Sequence, residues 1–104
     1  MKISLDFNGT RRPDIVSTSV ERQAALSLDH LESSIREVTV VFSDINGPRG
    51  GVDQRCLVQV RLRGRGRPLV ASGRGATPQL AFAQAVRRVR RRVERALETA
   101  RRVA

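Results

Sequence analysis

A chain of 104 residues has room for one domain and not two, and its net charge of +10 points toward a polyanionic partner. With 39% hydrophobic and 3% aromatic residues, it can build a core without disulfide or metal staples, and that core has to be aliphatic. One cysteine rules out an internal disulfide and suits a reducing compartment. The N-terminal "KISLDFNG" is not a signal peptide, and the longest apolar run, Val38 to Phe42, is too short to cross a bilayer. The expectation is a soluble, cytoplasmic, monomeric protein in which residues 1–104 form a single unit.

Residues 2–7 alternate, with Ile3, Leu5 and Phe7 on one side, and predict a first strand. "NGTRRPD" reads as a loop, because Asn8-Gly9 is a turn pair and Pro13 interrupts any helix behind it. From 17 to 33 the spacing becomes helical: Val20, Ala24, Leu28 and Leu31 recur at steps of four, four and three. Ser17 or Thr18 is the expected cap, with Glu21 placed as in a capping box.

A second strand over 36–45 turns Val38, Val40 and Phe42 one way. A third over 54–63 turns Cys56, Val58, Val60 and Leu62 inward. "GRGRP" at 64–68 is a turn, and a fourth strand over 69–72 is expected to end at Gly73 and Gly75. Thr77 caps a last helix with Pro78 at its first position, where a missing N–H costs nothing. Phe82, Val86, Val89, Val93, Leu97 and Ala100 form its apolar stripe almost to the C-terminus. The element order β-α-β-β-β-α predicts an α+β fold, a four-stranded sheet with two helices packed on one face.

The charge is unevenly placed. Residues 1–60 carry seven basic and eight acidic residues, whereas 61–104 carry thirteen Arg and two Glu. Nineteen of the twenty basic residues are Arg, which suits bidentate phosphate contacts, though a GC-rich genome would also favour Arg codons. On the last helix Arg88, Arg91, Arg95 and Arg102 are expected almost opposite the apolar stripe, with Arg87 and Arg92 on its shoulders and Glu94 and Glu98 interrupting. A face kept for solubility mixes signs, so this one predicts a track for RNA phosphates. The three phenylalanines fall on inward positions and there is no Tyr or Trp, so contacts are expected to backbone and shape and not to stacked bases.

Catalytic equipment is sparse. His30 is the only histidine, expected exposed near the end of the first helix, and Cys56 lies on an inward strand position, as a structural thiol would. No metal-ligand spacing or phosphate-loop motif occurs. Neither an enzyme, nor a cofactor, nor a small-molecule substrate is expected.

"VTVVFSDINGPRGGVDQRCLVQVRL" resembles the ribosome hibernation family, which comprises the hibernation-promoting factors, ribosome-associated inhibitors and Y proteins. Asp44, Asn46, Gly47, Pro48, Arg49, Gly50, Gly51, Asp53, Arg55 and Cys56 fit its Asp-x-Asn-Gly-Pro-Lys/Arg-Gly-Gly-x-Asp-x-Arg-Cys segment in register. "RVRRRV" at 88–93 is similar to the family's terminal-helix motif and sets Arg88 and Arg91 on its basic positions. Two features differ: "TPQLAF" lacks the family's tyrosine, and the first helix is flanked by Arg22 and Arg36 against Glu21, Asp29 and Glu32.

The resemblance implies binding to rRNA of the small ribosomal subunit, in the channel used by mRNA and tRNA. It also implies a short form without the added domain that pairs ribosomes. The candidate contacts are Arg22, Arg49, Arg87, Arg88, Arg91, Arg92, Arg95 and Arg102. Gly47, Gly50 and Gly51 are expected to take positive φ in an ordered loop, with Arg49 at its tip. Two other readings stay open: a general double-stranded RNA or nucleoid DNA binder, whose element order is close to that of double-stranded-RNA-binding domains, and a protein-interaction regulator with an acidic partner.

Overall fold

The computed structural model describes residues 1–7, 14–44, 54–64 and 66–103. In chain order these form β1 (Lys2–Phe7), α1 (Asp14–Leu28), a 3₁₀ segment (Asp29–Ser34), β2 (Ile35–Asp44), β3 (Gln54–Leu62), β4 (Leu69–Gly75) and α2 (Pro78–Val103). The expected α+β order is the observed one. The sheet runs β1-β2-β3-β4, so chain order and spatial order coincide. β1 pairs with β2 in parallel, and α1 with the 3₁₀ segment supplies the crossover that a parallel pair needs. The other two pairings are antiparallel.

Alternation turns one sheet face into the core. Val38, Val40 and Phe42 of β2 and Cys56, Val58 and Val60 of β3 are completely buried, beneath Val20, Ala24 and Leu28 of α1 and Phe82, Val89 and Val93 of α2. Both helices therefore cover the same face, and each fully buried apolar side chain contributes about 1.5–3 kcal/mol. Phe7 and Phe42, paired in register, stack with ring centres 4.8 Å apart.

Several boundaries differ from the sequence expectation. The first helix starts at Asp14, ahead of position 17, and its last expected turn is 3₁₀. Leu28 leaves α geometry at φ −111° and ψ 6°, and the tighter turn still places Leu31 in the core. Residue 35 joins β2, with an irregularity in register between Ile35 and Glu37.

The largest difference is in β4, which does not end before Gly73 but continues through Gly75. These glycines are where the last helix sits closest to the sheet. A Cβ on Gly73 would collide with the Ala81 carbonyl oxygen and lie 2.6 Å from the Ala85 nitrogen. One on Gly75 would lie 2.8 Å from the Ala81 nitrogen. Close approach of two backbones, and not strand termination, is what these glycines serve. Gly64, in the β3–β4 turn, takes φ +73°, as the expected turn there requires.

The glycine-dense loop, including Arg49 and the expected positive-φ positions, lies outside the described residues. Its base is a closed pair, Asp44 against Gln54, at the ends of β2 and β3.

Candidate nucleic-acid interface

Thr77 starts α2 as expected: the Leu80 N–H donates to its Oγ1 at 3.2 Å, and the Ala81 N–H to its carbonyl at 3.0 Å. From there the stripe of Ala81, Phe82, Ala85, Val86, Val89 and Val93 is buried, and its burial fixes the helix's rotation. With rotation set, the arginines sort into two ridges, one on each side of the stripe. Positions 88, 92, 95, 99 and 102 follow one another at steps of four, three, four and three, and read Arg, Arg, Arg, Thr, Arg. Positions 87, 90, 94, 98 and 101 make the other ridge and read Arg, Arg, Glu, Glu, Arg. Arg91 stands beside the first.

The expected row opposite the apolar stripe is thus displaced to one flank, and the flank faces β4. That strand is an edge of the sheet. The Arg88 guanidinium Nη1 donates to the Ser72 carbonyl at 2.9 Å, and Gln84 Oε1 accepts from the Arg74 N–H at 2.8 Å. An open groove of about 310 Å³ is lined by Ala71, Ser72, Arg88, Arg91, Arg92 and Arg95. It continues into a second of about 550 Å³, where Arg92 and Arg95 meet Leu69, Ala96 and Thr99. No acidic side chain lines either part, so four guanidinium groups face a trough with no compensating charge. Repulsion in such a row costs a few tenths of a kcal/mol per pair, which binding of a polyanion relieves.

The opposite ridge is compensated. Glu94 Oε2 lies 3.1 Å from His30 Nε2, tying the 3₁₀ segment to α2, and its other oxygen is 3.9 Å from Arg90 Nε. Glu98 accepts from Arg102 at 2.8 Å, drawing that arginine toward the mixed ridge. Arg87 is exposed on this side. Arg22 is exposed on α1, away from the groove-lining residues.

Of the expected contacts, the structure brings Arg88, Arg91, Arg92 and Arg95 together and leaves Arg22, Arg87 and Arg102 outside the cluster. The sequence reading did not find the β4 side of the groove. The available signal was the inward Ala71-x-Gly73-x-Gly75 alternation, which lets the helix sit low enough for its flank to reach the edge.

Elsewhere the chemistry is quiet. Cys56 is fully buried, and desolvation pushes its thiol up to about 12, so it stays protonated and unreactive at neutral pH. His30 is exposed, as expected, and engaged with Glu94. Among the described residues no group of three or more His, Cys, Asp or Glu is placed to hold a metal, and no helix is long and apolar enough to cross a membrane.

A four-stranded sheet in this order, backed on one face by two helices, is an α+β fold. The chain is similar over 94% of its length to a ribosomal subunit interface protein from Coxiella burnetii, with TM-score 0.76, 11% identity and 99% of that chain covered. It is also similar to the N-terminal domain of Thermus thermophilus Protein Y, with TM-score 0.71, 23% identity, and 91% of this chain and 98% of that one covered. No family profile and no curated protein sequence matches the chain.

Proposed function

We propose that this protein is a ribosome-associated hibernation factor that binds rRNA of the small subunit in the mRNA and tRNA channel and so holds translation idle. The observation that carries the reading is the acid-free arginine trough of Arg88, Arg91, Arg92 and Arg95 along the β4 edge. Two other features support it: the "DINGPRGGVD" segment, and a fold shared with a ribosomal subunit interface protein and with the N-terminal domain of Protein Y. In this reading residues 1–104 act as one binding unit in the cytoplasm, without cofactor or catalysis. Guanidinium groups neutralise rRNA phosphates and release counterions, giving affinity that depends steeply on salt and little on sequence.

The test is co-sedimentation with purified small subunits across a salt series, beside free duplex RNA and duplex DNA at the same salt. Neutralising about five phosphates predicts a slope of log K against log salt of about −3.5 to −4.5. Small subunits should retain the protein at salt that strips it from both duplexes. Equal retention on free duplex favours the general nucleic-acid binder, and a slope shallower than about −2 favours a protein partner.

A further inference from the structure

The two edges of the sheet are finished differently. At β4 the flank of α2 occupies the edge: Arg88 donates to the Ser72 carbonyl, and Gln84 accepts from the Arg74 N–H. At β1 the register with β2 runs unbroken from Lys2 to Phe7, and among the described residues no element pairs with its outer side. Every second residue of this strand therefore turns its N–H and C=O outward. The strand has no proline and no bulge to blunt that edge. The apolar layer also runs out here. Met1, Ile3, Leu5 and Phe7 pack against the core yet stay only partly buried, whereas Val38, Val40 and Phe42, their neighbours in register on β2, are completely buried. The other face of β1 carries Lys2 and Asp6, both exposed, and neither forms an ion pair among the described residues. Glu37, opposite Lys2 in register, accepts from Thr39 instead.

We propose that the outer edge of β1 docks a second copy of this chain, joining two sheets into one of eight strands. Two copies related by a two-fold axis meet antiparallel. Centring the axis on Ser4 sets Lys2 opposite the partner's Asp6, Ile3 opposite the partner's Leu5, and Ser4 opposite the partner's Ser4. Only odd residues meet odd and even meet even, so the outward N–H groups of one copy donate to outward carbonyls of the other. Lys2 and Asp6 deter an unrelated strand, but in this register they neutralise each other twice per dimer. Opposed residues point to the same face, so the partly buried Ile3 and Leu5 cover one another and the helices of both copies lie on one side. The two β4 edges become the ends of the joint sheet, seven strand spacings or about 34 Å apart, and both arginine troughs stay open. The pairing does not depend on what the troughs bind. One short strand from each copy makes an interface of the small, transient class, below about 1,200 Å². The monomer expected from the sequence is then the low-concentration form.

The experiment is sedimentation equilibrium of the full chain between about 1 and about 300 μM, with small-subunit co-sedimentation in parallel. Wild type should be monomeric at the low end and mostly dimeric at the high end, as a Kd of about 50 μM gives. Lys2→Glu and Asp6→Lys each set like charges opposite one another at both ends of the ladder, and each alone should weaken the dimer at least about tenfold. An equimolar mixture of the two variants restores both attractions and should dimerise like wild type, as should the double variant Lys2→Glu with Asp6→Lys. Ser4→Cys should cross-link to itself on oxidation, because the axis passes through that position, and the native Cys56 is buried and takes no part. Asp6→Cys should not, since its two copies lie four residues apart along the strand, about 13 Å.

A wild type still monomeric at about 300 μM overturns the proposal. So does a dimer that neither charge reversal weakens, a mixture that fails to recover it, or Asp6→Cys cross-linking as readily as Ser4→Cys. Where a charge variant does not fold, the two cysteine variants decide. Small-subunit binding by the folded charge variants should stay within about threefold of wild type. Loss of small-subunit binding by wild type would defeat the proposed function and leave the dimer standing.

Discussion

The two ridges of α2 share a helix and a length, with four arginines on one and three on the other, and they differ in what stands between those arginines. The mixed ridge carries Glu94 and Glu98, which pair with His30, Arg90 and Arg102. The other faces the β4 edge, and its groove has no acid at all. Composition treats the two alike, since every guanidinium adds the same charge to the total of +10. The contrast teaches that a helix's charge is usable where it is uncompensated and where a neighbouring element walls it into a trough. On the mixed ridge the same residue type is paired with Glu94 or Glu98 or stands in solvent.

The comparison breaks most directly by removing three charges from each ridge in turn. Arg91, Arg92 and Arg95→Gln should lower affinity for small subunits by about 30-fold or more and flatten the salt slope by about two. Arg87, Arg90 and Arg101→Gln removes the same net charge and should cost about threefold or less. Equal losses would mean that the bulk field, and not the trough, binds. Arg88 is left out of both sets because its bond to Ser72 makes it part of the fold as well.

The next effect is on stability. Gly73→Val places a branched side chain against the Ala81 carbonyl and the Ala85 nitrogen, so α2 must lift from β4. Overpacking of this kind should cost about 3 kcal/mol and lower Tm by more than about 10 °C. Thermal and chemical denaturation measure it, and a wild-type Tm would show that the helix does not ride on the strand backbone. Folded Gly73→Val protein should also bind RNA more weakly, because the trough opens with the helix.

The smallest effect sharpens the other side of the contrast. Glu94→Gln breaks an exposed pair with His30 and should change stability by less than about 0.5 kcal/mol. It unmasks positive charge on the mixed ridge, and affinity should rise by no more than about threefold in a low-salt titration. A larger gain would assign that ridge to the RNA as well.

Much of this architecture is written in local patterns. Period-two alternation at Val38, Val40 and Phe42 and at Cys56, Val58 and Val60 marks the buried face of β2 and β3, and all six are completely buried. The 3.6-residue period from Phe82 to Val93 marks α2, and Thr77-Pro78 marks its start. The arginine excess over the last 44 residues was visible as well, down to which side chains are basic.

Tertiary structure alone decided what those side chains face. A helical wheel has no fixed zero until the core sets one. Burial of Ala81 and Ala85 beside the stripe rotates α2 and carries Arg88, Arg92 and Arg95 to the β4 flank. Gly73 and Gly75 read locally as strand breakers, because chain conformation is all that a single sequence position reports. Their absent side chains matter only once a second backbone lies over them, and that backbone comes from residues 80–85. The groove is a contact between two elements joined by a short turn, so neither carries a sign of it by itself. Charge and periodicity are properties of the chain, whereas a trough is a property of how two pieces of chain are held apart.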